Sequence, residues 1–179
     1  MKKHLITLML ILAGAVVCLF ISSCATTSAV CTCLCGCGSC GCVKPDGNAT
    51  IAYITSKEWK LIEVRAEDTF LRETLFDRNT LSKEAAGDVF ILKVTNDFVS
   101  GKAAPNTYTA QYTANERDKT ISVKEMVVTE LPPVWQPLKI KEQDYYTYLK
   151  NAYKWDVANG RLLLYSKAEN GRDILLTYQ

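Results

Sequence analysis

The sequence predicts an α+β domain in which a curled, mainly antiparallel sheet packs against one principal helix. Short apolar runs alternate with turn signals, and one late segment has helical periodicity. Residues 51–179 provide about 130 positions, enough for one hydrophobic core, and they contain no internal repeat. We therefore expect this range to form a single folded domain.

The first half of this domain contains short runs that are typical of strands, rich in β-branched, aromatic and other apolar residues. In one of them Tyr108, Ala110 and Tyr112 alternate with threonine and glutamine, which places them on one face. The predicted strands are Trp59–Val64, Val89–Thr95, Thr107–Thr113, Ile121–Val123 and Met126–Val128. The intervening segment Arg65–Asp88 mixes apolar and charged residues, and we expect it to cover one end of the sheet; the alternative is a functional role.

The last third of the chain has the clearest local signals. Tyr145, Tyr148, Leu149 and Ala152 follow the spacing i, i+3, i+4 and i+7, so they form the buried stripe of a helix over about residues 141–151. This helix is the one expected to pack against the sheet.

Two turns follow that helix. Asn159-Gly160 favours a type I′ hairpin turn because both central residues of that turn need positive φ. It is predicted to join a strand at Tyr153–Val157 to one at Arg161–Tyr165, and a turn at Glu169–Gly171 leads to a last strand at Asp173–Tyr178.

The N-terminus is typical of a secretory signal peptide over residues 1–23. Lys2 and Lys3 precede an apolar run, Leu5–Ile21, that is shorter than the roughly 20 residues of a membrane-spanning helix. Removing this segment leaves equal numbers of basic and acidic residues, because it holds two lysines and no acid. No basic stripe remains, so nucleic acid is not an expected partner.

Ile21-Ser22-Ser23-Cys24 resembles a bacterial lipobox, in which the cysteine receives the lipid. We therefore predict lipidation of Cys24, attachment to the cell envelope and, because Ala25 follows, an outer-membrane location facing the periplasm or the cell surface. Several acyl chains anchor a protein firmly, at about 0.8 kcal/mol per buried methylene. The alternative is an ordinary signal peptide that is cut nearby.

Residues 24–50 are rich in small residues and read as a tether between the lipid and the folded body. Disulfides are the default chemistry outside the cytoplasm, so an oxidised or unstructured spacer is our first interpretation. The alternative is a metallothionein-like site for a soft metal ion, since thiolates prefer such ions. Both interpretations concern the same six cysteines: Cys31, Cys33, Cys35, Cys37, Cys40 and Cys42.

The residues of the body do not form a recognisable catalytic set, so we predict no enzyme activity and no cofactor. The single histidine, His4, lies in the predicted signal peptide, which leaves no imidazole for a hydrolytic triad. The acid pairs Glu67-Asp68 and Glu142 with Asp144 are expected on solvated surface. No phosphate-binding glycine loop is present.

An ordered set of short motifs resembles the META domain family, which includes HslJ-like lipoproteins. The motifs are Glu58–Leu61, Val99–Tyr108, Ile121–Lys124, Val127–Thr129 and Asn159–Leu164. The family-motif residues that they contain are Trp59, Gly101, Asn106, Tyr108 and Thr129.

We expect these family-motif residues to be structural, with Asn106 bonding its own backbone in a tight turn and Tyr108 entering the core. The alternative is a ligand site. Many members carry two cysteines where this chain has Pro105 and Pro132-Pro133, so a disulfide there is not expected.

The resemblance implies an envelope lipoprotein, linked in some members to stress or drug tolerance, with no established catalysis. We expect a body that supports the envelope or binds a protein or small-molecule partner.

Overall fold

The computed structural model of the protein describes residues 49–67, 71–82, 87–132 and 135–179. All of the described residues lie in one compact unit. Within the described part, no helix has the length and apolar character needed to cross a membrane.

The described residues form nine strands, two α-helices and one 3-10 turn. The helices are α1 (Ile51–Ile54) and α2 (Glu142–Lys150), and the 3-10 turn is Arg78–Thr80. The strands are β1 (Glu58–Glu67), β2 (Arg72–Asp77), β3 (Ile91–Val94), β4 (Phe98–Lys102), β5 (Thr107–Asn115), β6 (Thr120–Val128), β7 (Lys154–Ala158), β8 (Arg161–Lys167) and β9 (Asp173–Tyr178).

The described strands pair in the order β2-β1-β3-β4-β5-β6-β7-β8-β9, and β1 also pairs with β9. This additional pairing closes eight of the nine strands into a ring, with every pair antiparallel. The first part of β1, Glu58–Lys60, pairs with β3, whereas Glu63–Glu67 pairs with β2. Strand β2 therefore lies outside the ring and, among the described strands, pairs with β1 alone.

The predicted fold class is confirmed in its main features, an antiparallel curled sheet with one principal helix. Several boundaries differ from those predicted. A single strand, β6, replaces the two short strands predicted over residues 121–128. Strand β3 begins at Ile91 because Phe90 has a φ of +52°, which interrupts the extended backbone.

Two strands were not predicted at all. Strand β2 lies within the segment Arg65–Asp88, which was expected to cover the sheet, and β4 was not among the predicted strands. Both contain exposed or charged residues at several positions, so neither has the apolar alternation that marks a strand in the sequence.

The helix and hairpin predictions in the last third are confirmed. Tyr145, Tyr148, Leu149 and Ala152 are all buried, so the stripe faces the core as its spacing predicted. In the turn between β7 and β8, Asn159 and Gly160 have φ values of +52° and +71°, as a type I′ turn requires.

Helix α1 closes the end of the ring where β1 begins. The Trp59 indole donates to the Ile54 carbonyl at 2.8 Å, and both residues are buried. Lys119, in the turn between β5 and β6, donates to the Ala49 carbonyl, and the Glu116 carboxylate accepts from the Ile51 amide. These bonds attach the first described residues to the C-terminal end of β5.

Candidate functional site

Gly101 lies where β4 passes between β3 and β5, at a point where no side chain fits. The Tyr108 hydroxyl crosses this position and donates to the Ile91 carbonyl at 2.9 Å. A Cβ on Gly101 would lie 1.8 Å from that carbonyl oxygen and 2.8 Å from the hydroxyl. The close approach of Tyr108 to β3 therefore depends on glycine at this position.

The Tyr108 hydroxyl is one end of a chain of three buried phenols. It lies 3.1 Å from the Tyr145 hydroxyl, and the Tyr178 hydroxyl donates to Tyr145 at 3.3 Å. Because Tyr108 gives its only proton to Ile91, Tyr145 must donate to Tyr108. The direction of hydrogen-bond donation along the chain is thus fixed: Tyr178 donates to Tyr145, Tyr145 to Tyr108, and Tyr108 to the backbone.

Burial makes these phenols hard to ionise. It raises the pKa of Tyr145 to about 12 and raises the pKa values of Tyr108 and Tyr178 well above their ordinary range. The pKa of the neighbouring Tyr146 is also raised, first by burial and then by the Glu142 carboxylate. Within the described structure, the Tyr146 hydroxyl has no partner that meets hydrogen-bond geometry.

Glu142, the first residue of α2, is a buried carboxylate that accepts three N–H groups. Its Oε1 accepts from the amides of Ala104 and Asn106 at 2.7 and 2.6 Å. Its Oε2 accepts from the Asn106 side chain at 2.8 Å. Glu142 is only 7% exposed, so these bonds replace the water that a carboxylate would otherwise bind.

Asn106 links Glu142 to the segment that follows β6. Its side-chain oxygen accepts from the Leu131 amide at 2.6 Å and from the Thr129 hydroxyl at 2.9 Å, while Nδ2 also donates to the Leu131 carbonyl. The two ends of the segment Leu131–Glu142 are thus held by one side chain. We call the four residues Asn106, Thr129, Leu131 and Glu142 the Asn106 network.

Two sequence expectations about these residues are wrong. Glu142 was expected on solvated surface with Asp144, but it is buried, because the start of α2 packs against the turn before β5. Asn106 was expected to bond its own backbone in a tight turn, but it bonds residues 23 to 36 positions away.

Of the other predicted site residues, Trp59 makes its contacts outside this network. Trp59 is fully buried beside α1, with the Lys57 ammonium 4.0 Å from the centre of its ring. Cys24 and the six tether cysteines lie outside the described residues, so lipidation and thiol chemistry stay predictions. Among the described residues, no group of three or more His, Cys, Asp and Glu side chains is placed to hold a metal ion.

An open cleft of about 780 Å³ lies beside β2, and we call it the β2 cleft. One wall is β2 with the 3-10 turn that follows it, and the other is the segment held by the Asn106 network. The lining residues are Thr74, Leu75, Phe76, Asp77, Thr80, Leu81, Ser82, Trp135, Gln136, Pro137, Leu138 and Lys139.

The β2 cleft presents large apolar side chains to solvent. Trp135 is 44% exposed and Leu138 is 93% exposed, although both are large and apolar. The charged side chains in its lining are Asp77 and Lys139. Asp77 caps the 3-10 turn through the Asn79 amide at 2.9 Å, and the Lys139 ammonium lies 3.7 Å from the Glu73 carboxylate.

A second groove of about 680 Å³ lies on the outer surface of β4, β5 and β6. It is lined by Phe98, Thr109, Ala110, Gln111, Lys124, Glu125 and Val127. Its lining contains no tryptophan, and it provides positions for control substitutions away from the β2 cleft.

The family model of the META domain matches residues 52–177. This chain belongs to the META domain family. No curated protein matches its sequence. The META domain family thus accounts for nearly the whole folded body, from α1 to the last residues of β9.

Two solved structures are similar to this META domain protein. One is the NMR structure of a protein from Burkholderia xenovorans, with 16% identity and a TM-score of 0.51, covering 79% of this chain and 96% of that chain. The other is the crystal structure of a DUF4847 family protein from Bacteroides vulgatus ATCC 8482. Its identity is 14% and its TM-score 0.48, with 70% of this chain and 92% of that chain covered. At such identities the likeness concerns the fold alone.

Neither the β2 cleft nor the role of Glu142 in this META domain was predicted from the sequence. Trp135 lies in an aperiodic, proline-rich stretch, where no strand or helix would bury its side chain. This residue was the feature of the sequence that could have indicated an exposed apolar site. No comparable signal marked Glu142, since an acid in the first turn of a helix is ordinary.

Proposed function

We propose that this chain is a non-enzymatic bacterial envelope lipoprotein that binds a partner through the β2 cleft of its META domain. The lipid on Cys24 would hold it at the outer membrane. A role in envelope integrity or stress follows from the family resemblance and belongs to the same proposal.

The observation that carries the binding proposal is the β2 cleft itself. Trp135 and Leu138 keep apolar surface in water, which costs free energy of about 25 cal/mol for each Å² that a partner could cover. Concave apolar surface with a few charged groups, here Asp77 and Lys139, is the usual character of a binding site. The lining residues 135–139 lie in the chain between Leu131 and Glu142, and both of these residues bond Asn106.

The chemistry of the interior supports a binding role over a catalytic one. Glu142 uses both carboxylate oxygens on N–H groups of the protein, and the chain of phenols ends on a backbone carbonyl. With raised pKa values, these buried phenols stay protonated near neutral pH and cannot act as bases there. These groups therefore have structural roles in the interior of the domain.

N-phenyl-1-naphthylamine, a neutral apolar fluorescent dye, tests the cleft as a binding site. We expect it to bind the folded body, quench Trp135 and lose about tenfold in affinity in Leu138→Lys. The matched control is Val127→Lys, which places the same charge at an exposed apolar position in the second groove. Equal effects of the two variants, or no binding to the wild-type protein, would contradict the proposal.

The lipid anchor is tested at Cys24. Cys24→Ser should remain uncleaved by the lipoprotein signal peptidase and should not incorporate labelled fatty acid, whereas the control Cys18→Ser should be processed normally. Labelling of Cys24→Ser that equals the wild-type level would overturn the lipobox assignment.

The cysteine-rich tether favours a second candidate function, the binding of soft metal ions. Six thiols within twelve positions could wrap a small metal cluster, and all of them lie outside the described residues. Metal content and free thiols should be counted in protein isolated from its own envelope. Stoichiometric metal on reduced thiols would support this candidate, and fully oxidised thiols would exclude it.

A further inference from the structure

We propose that the β2 cleft receives an extended peptide segment of a partner protein, which adds to the free edge of β2 as a further strand. This inference rests on the proposed binding role of the cleft and specifies the chemistry of the partner. It follows from the position of β2, the direction of the cleft and the charge that the cleft carries.

The β2 cleft runs along an edge of the sheet. Thr74, Leu75, Phe76 and Asp77 are four successive residues of β2, and all four line it. Lys139 in the opposite wall reaches the Thr74 carbonyl, so the cleft meets backbone groups of β2 as well as its side chains. The cleft therefore follows the backbone edge of this strand.

This edge has no backbone partner in the described part of the chain. Strand β2 stands last in the strand order and pairs there with β1 alone. The Lys139 ammonium, in the opposite wall, donates to the Thr74 carbonyl at 3.4 Å, which shows that this carbonyl is accessible from the cleft. An open strand edge offers N–H and C=O groups to an incoming extended chain, the geometry of β-strand addition.

The same edge is unsuited to pairing with a second copy of this chain. The pairing of β2 with β1 is interrupted by a bulge opposite Val64 and Arg65, and bulges bend an edge away from flat self-association. Lys139 and Arg172 both contact Glu73 of β2, at 3.7 and 3.1 Å, so charged side chains crowd the edge. A single extended peptide can fit between these charges more easily than another folded domain.

The lining also selects the side chains of the peptide. Leu75, Leu81, Trp135 and Leu138 provide apolar contacts for residues that point into the cleft, which in a strand are every second one. Lys139 is 62% exposed at its side chain, and its ammonium makes two long contacts, 3.7 Å to Glu73 and 3.4 Å to the Thr74 carbonyl. A carboxylate on the peptide complements this ammonium and frees the Thr74 carbonyl for a peptide N–H.

The probe is a capped six-residue peptide of alternating valine and threonine in which one central residue is glutamate. Trp135 reports its binding, because it is 44% exposed while Trp59 and Trp155, the other tryptophans of the chain, are fully buried. We expect a change in Trp135 fluorescence and slower hydrogen exchange of amides in Arg72–Asp77. A molecule that only filled the apolar cleft would change the fluorescence without slowing these amides.

Two N-methylated versions of the peptide test the strand geometry. Successive N–H groups of a strand point to opposite edges, so methylating the valine nitrogens blocks one edge and methylating the threonine nitrogens blocks the other. We expect one version to lose at least about tenfold in affinity while the other binds nearly as the parent does. Equal behaviour of the two versions would overturn strand addition.

A charge exchange tests the role of Lys139. Lys139→Glu should weaken the glutamate peptide about tenfold and favour a peptide with lysine at that position, whereas Lys124→Glu, in the second groove, should change neither. Absence of this reversal would show that Lys139 does not select an acidic partner and would contradict that part of the proposal.

The outcomes separate this inference from the proposed function. Binding of the dye without binding of the peptide would overturn the inference and leave the binding role of the cleft intact. Failure of both would overturn both. If slow exchange of the β2 amides instead grows with protein concentration and a dimer sediments, the occupant is a second copy and the peptide proposal falls.

Discussion

Gly101 illustrates how one residue can decide the interior of this domain. The Tyr108 hydroxyl reaches Ile91 only because no Cβ occupies the space between them. The same contact fixes the direction of hydrogen-bond donation in the chain of phenols. A small residue on β4 thus controls the packing of β3, β5 and α2 together.

We predict that Gly101→Ala destabilises the protein by about 1–3 kcal/mol or more, because the new Cβ must move a backbone carbonyl. The matched control is Gly87→Ala, since a Cβ at Gly87 would meet nothing within 4 Å. Urea unfolding of both variants measures the difference. Equal stability of the two variants would show that β3 and β4 can separate at little cost.

Glu142 is the residue whose charge organises the Asn106 network. We predict that Glu142→Gln lowers the free energy of unfolding by about 1–3 kcal/mol, because an amide cannot accept all three N–H groups. Glu125→Gln is the control, and as an exposed substitution it should stay within about 0.5 kcal/mol of the wild type.

The Glu142→Gln variant should also loosen the cleft wall, which a red shift and stronger quenching of Trp135 fluorescence would reveal in the folded protein. A variant that is less stable but keeps the wild-type spectrum would show that the network stabilises the fold without positioning the cleft.

At the scale of elements, helix α2 combines packing with positioning. One face carries the stripe with Tyr145 and Leu149 into the core, and its first residue, Glu142, anchors the turn before β5. The helix therefore cannot move without disturbing both the phenol chain and the segment that forms a wall of the cleft.

We predict that Leu149→Ala costs about 2–5 kcal/mol, because Leu149 is 1% exposed and a cavity would remain. Lys150→Ala, at an exposed position of the same helix, controls for helix propensity and should be nearly neutral. Thermal and urea unfolding provide the measurement. A cost for Leu149→Ala within about 0.5 kcal/mol would mean that the helix packs on another face.

At the scale of the whole molecule, the buried phenols make stability depend on alkaline pH. Tyr145 has a folded-state pKa of about 12, whereas a phenol in the unfolded chain has a pKa of about 10. Below about pH 10 the phenol is protonated in both states, and its contribution to stability is fully present. Above that pH only the unfolded chain releases the proton, so this contribution is lost progressively up to about pH 12.

We therefore expect the free energy of unfolding to fall by roughly 2 kcal/mol between about pH 10 and 12 from Tyr145 alone. Denaturant unfolding at several alkaline pH values, followed with the ultraviolet absorbance of ionised tyrosine, measures this loss. Tyr145→Phe should be less stable at neutral pH and should show a shallower alkaline decline. Ionisation of every tyrosine near pH 10 in the folded protein would contradict a raised pKa for Tyr145.

Truncations separate the tether from the folded body. Deleting residues 30–43 should leave the melting transition of the body nearly unchanged, since the body has its own core and no cysteine to bridge to the tether. Extending the deletion through Ile54 should lower the transition, because Ile54 is buried and its carbonyl accepts from the Trp59 indole. Calorimetry of both truncations tests this, and a large effect of the shorter deletion would contradict it.

The sequence by itself determined the features that depend on neighbours along the chain. The spacing of Tyr145 and Leu149 requires only helical periodicity, and the turn at Asn159-Gly160 requires only the tolerance of these two residues for positive φ. The alternation around Tyr108 likewise marked β5 and its buried face. Short apolar runs, turn signals and the single helical stripe predicted the fold class, and the ordered motifs of the META domain agreed with it.

Only the tertiary structure decided where distant residues meet. Strand β2 was hidden in the sequence because it lies outside the ring and has one pairing partner among the described strands, so it lacks apolar alternation. Glu142 is buried because its carboxylate meets Asn106, 36 positions away in the chain. The β2 cleft joins residues 74–82 to residues 135–139 in the same way. Local periodicity carries no information on such contacts, because it depends on the path of one segment and not on which segments meet.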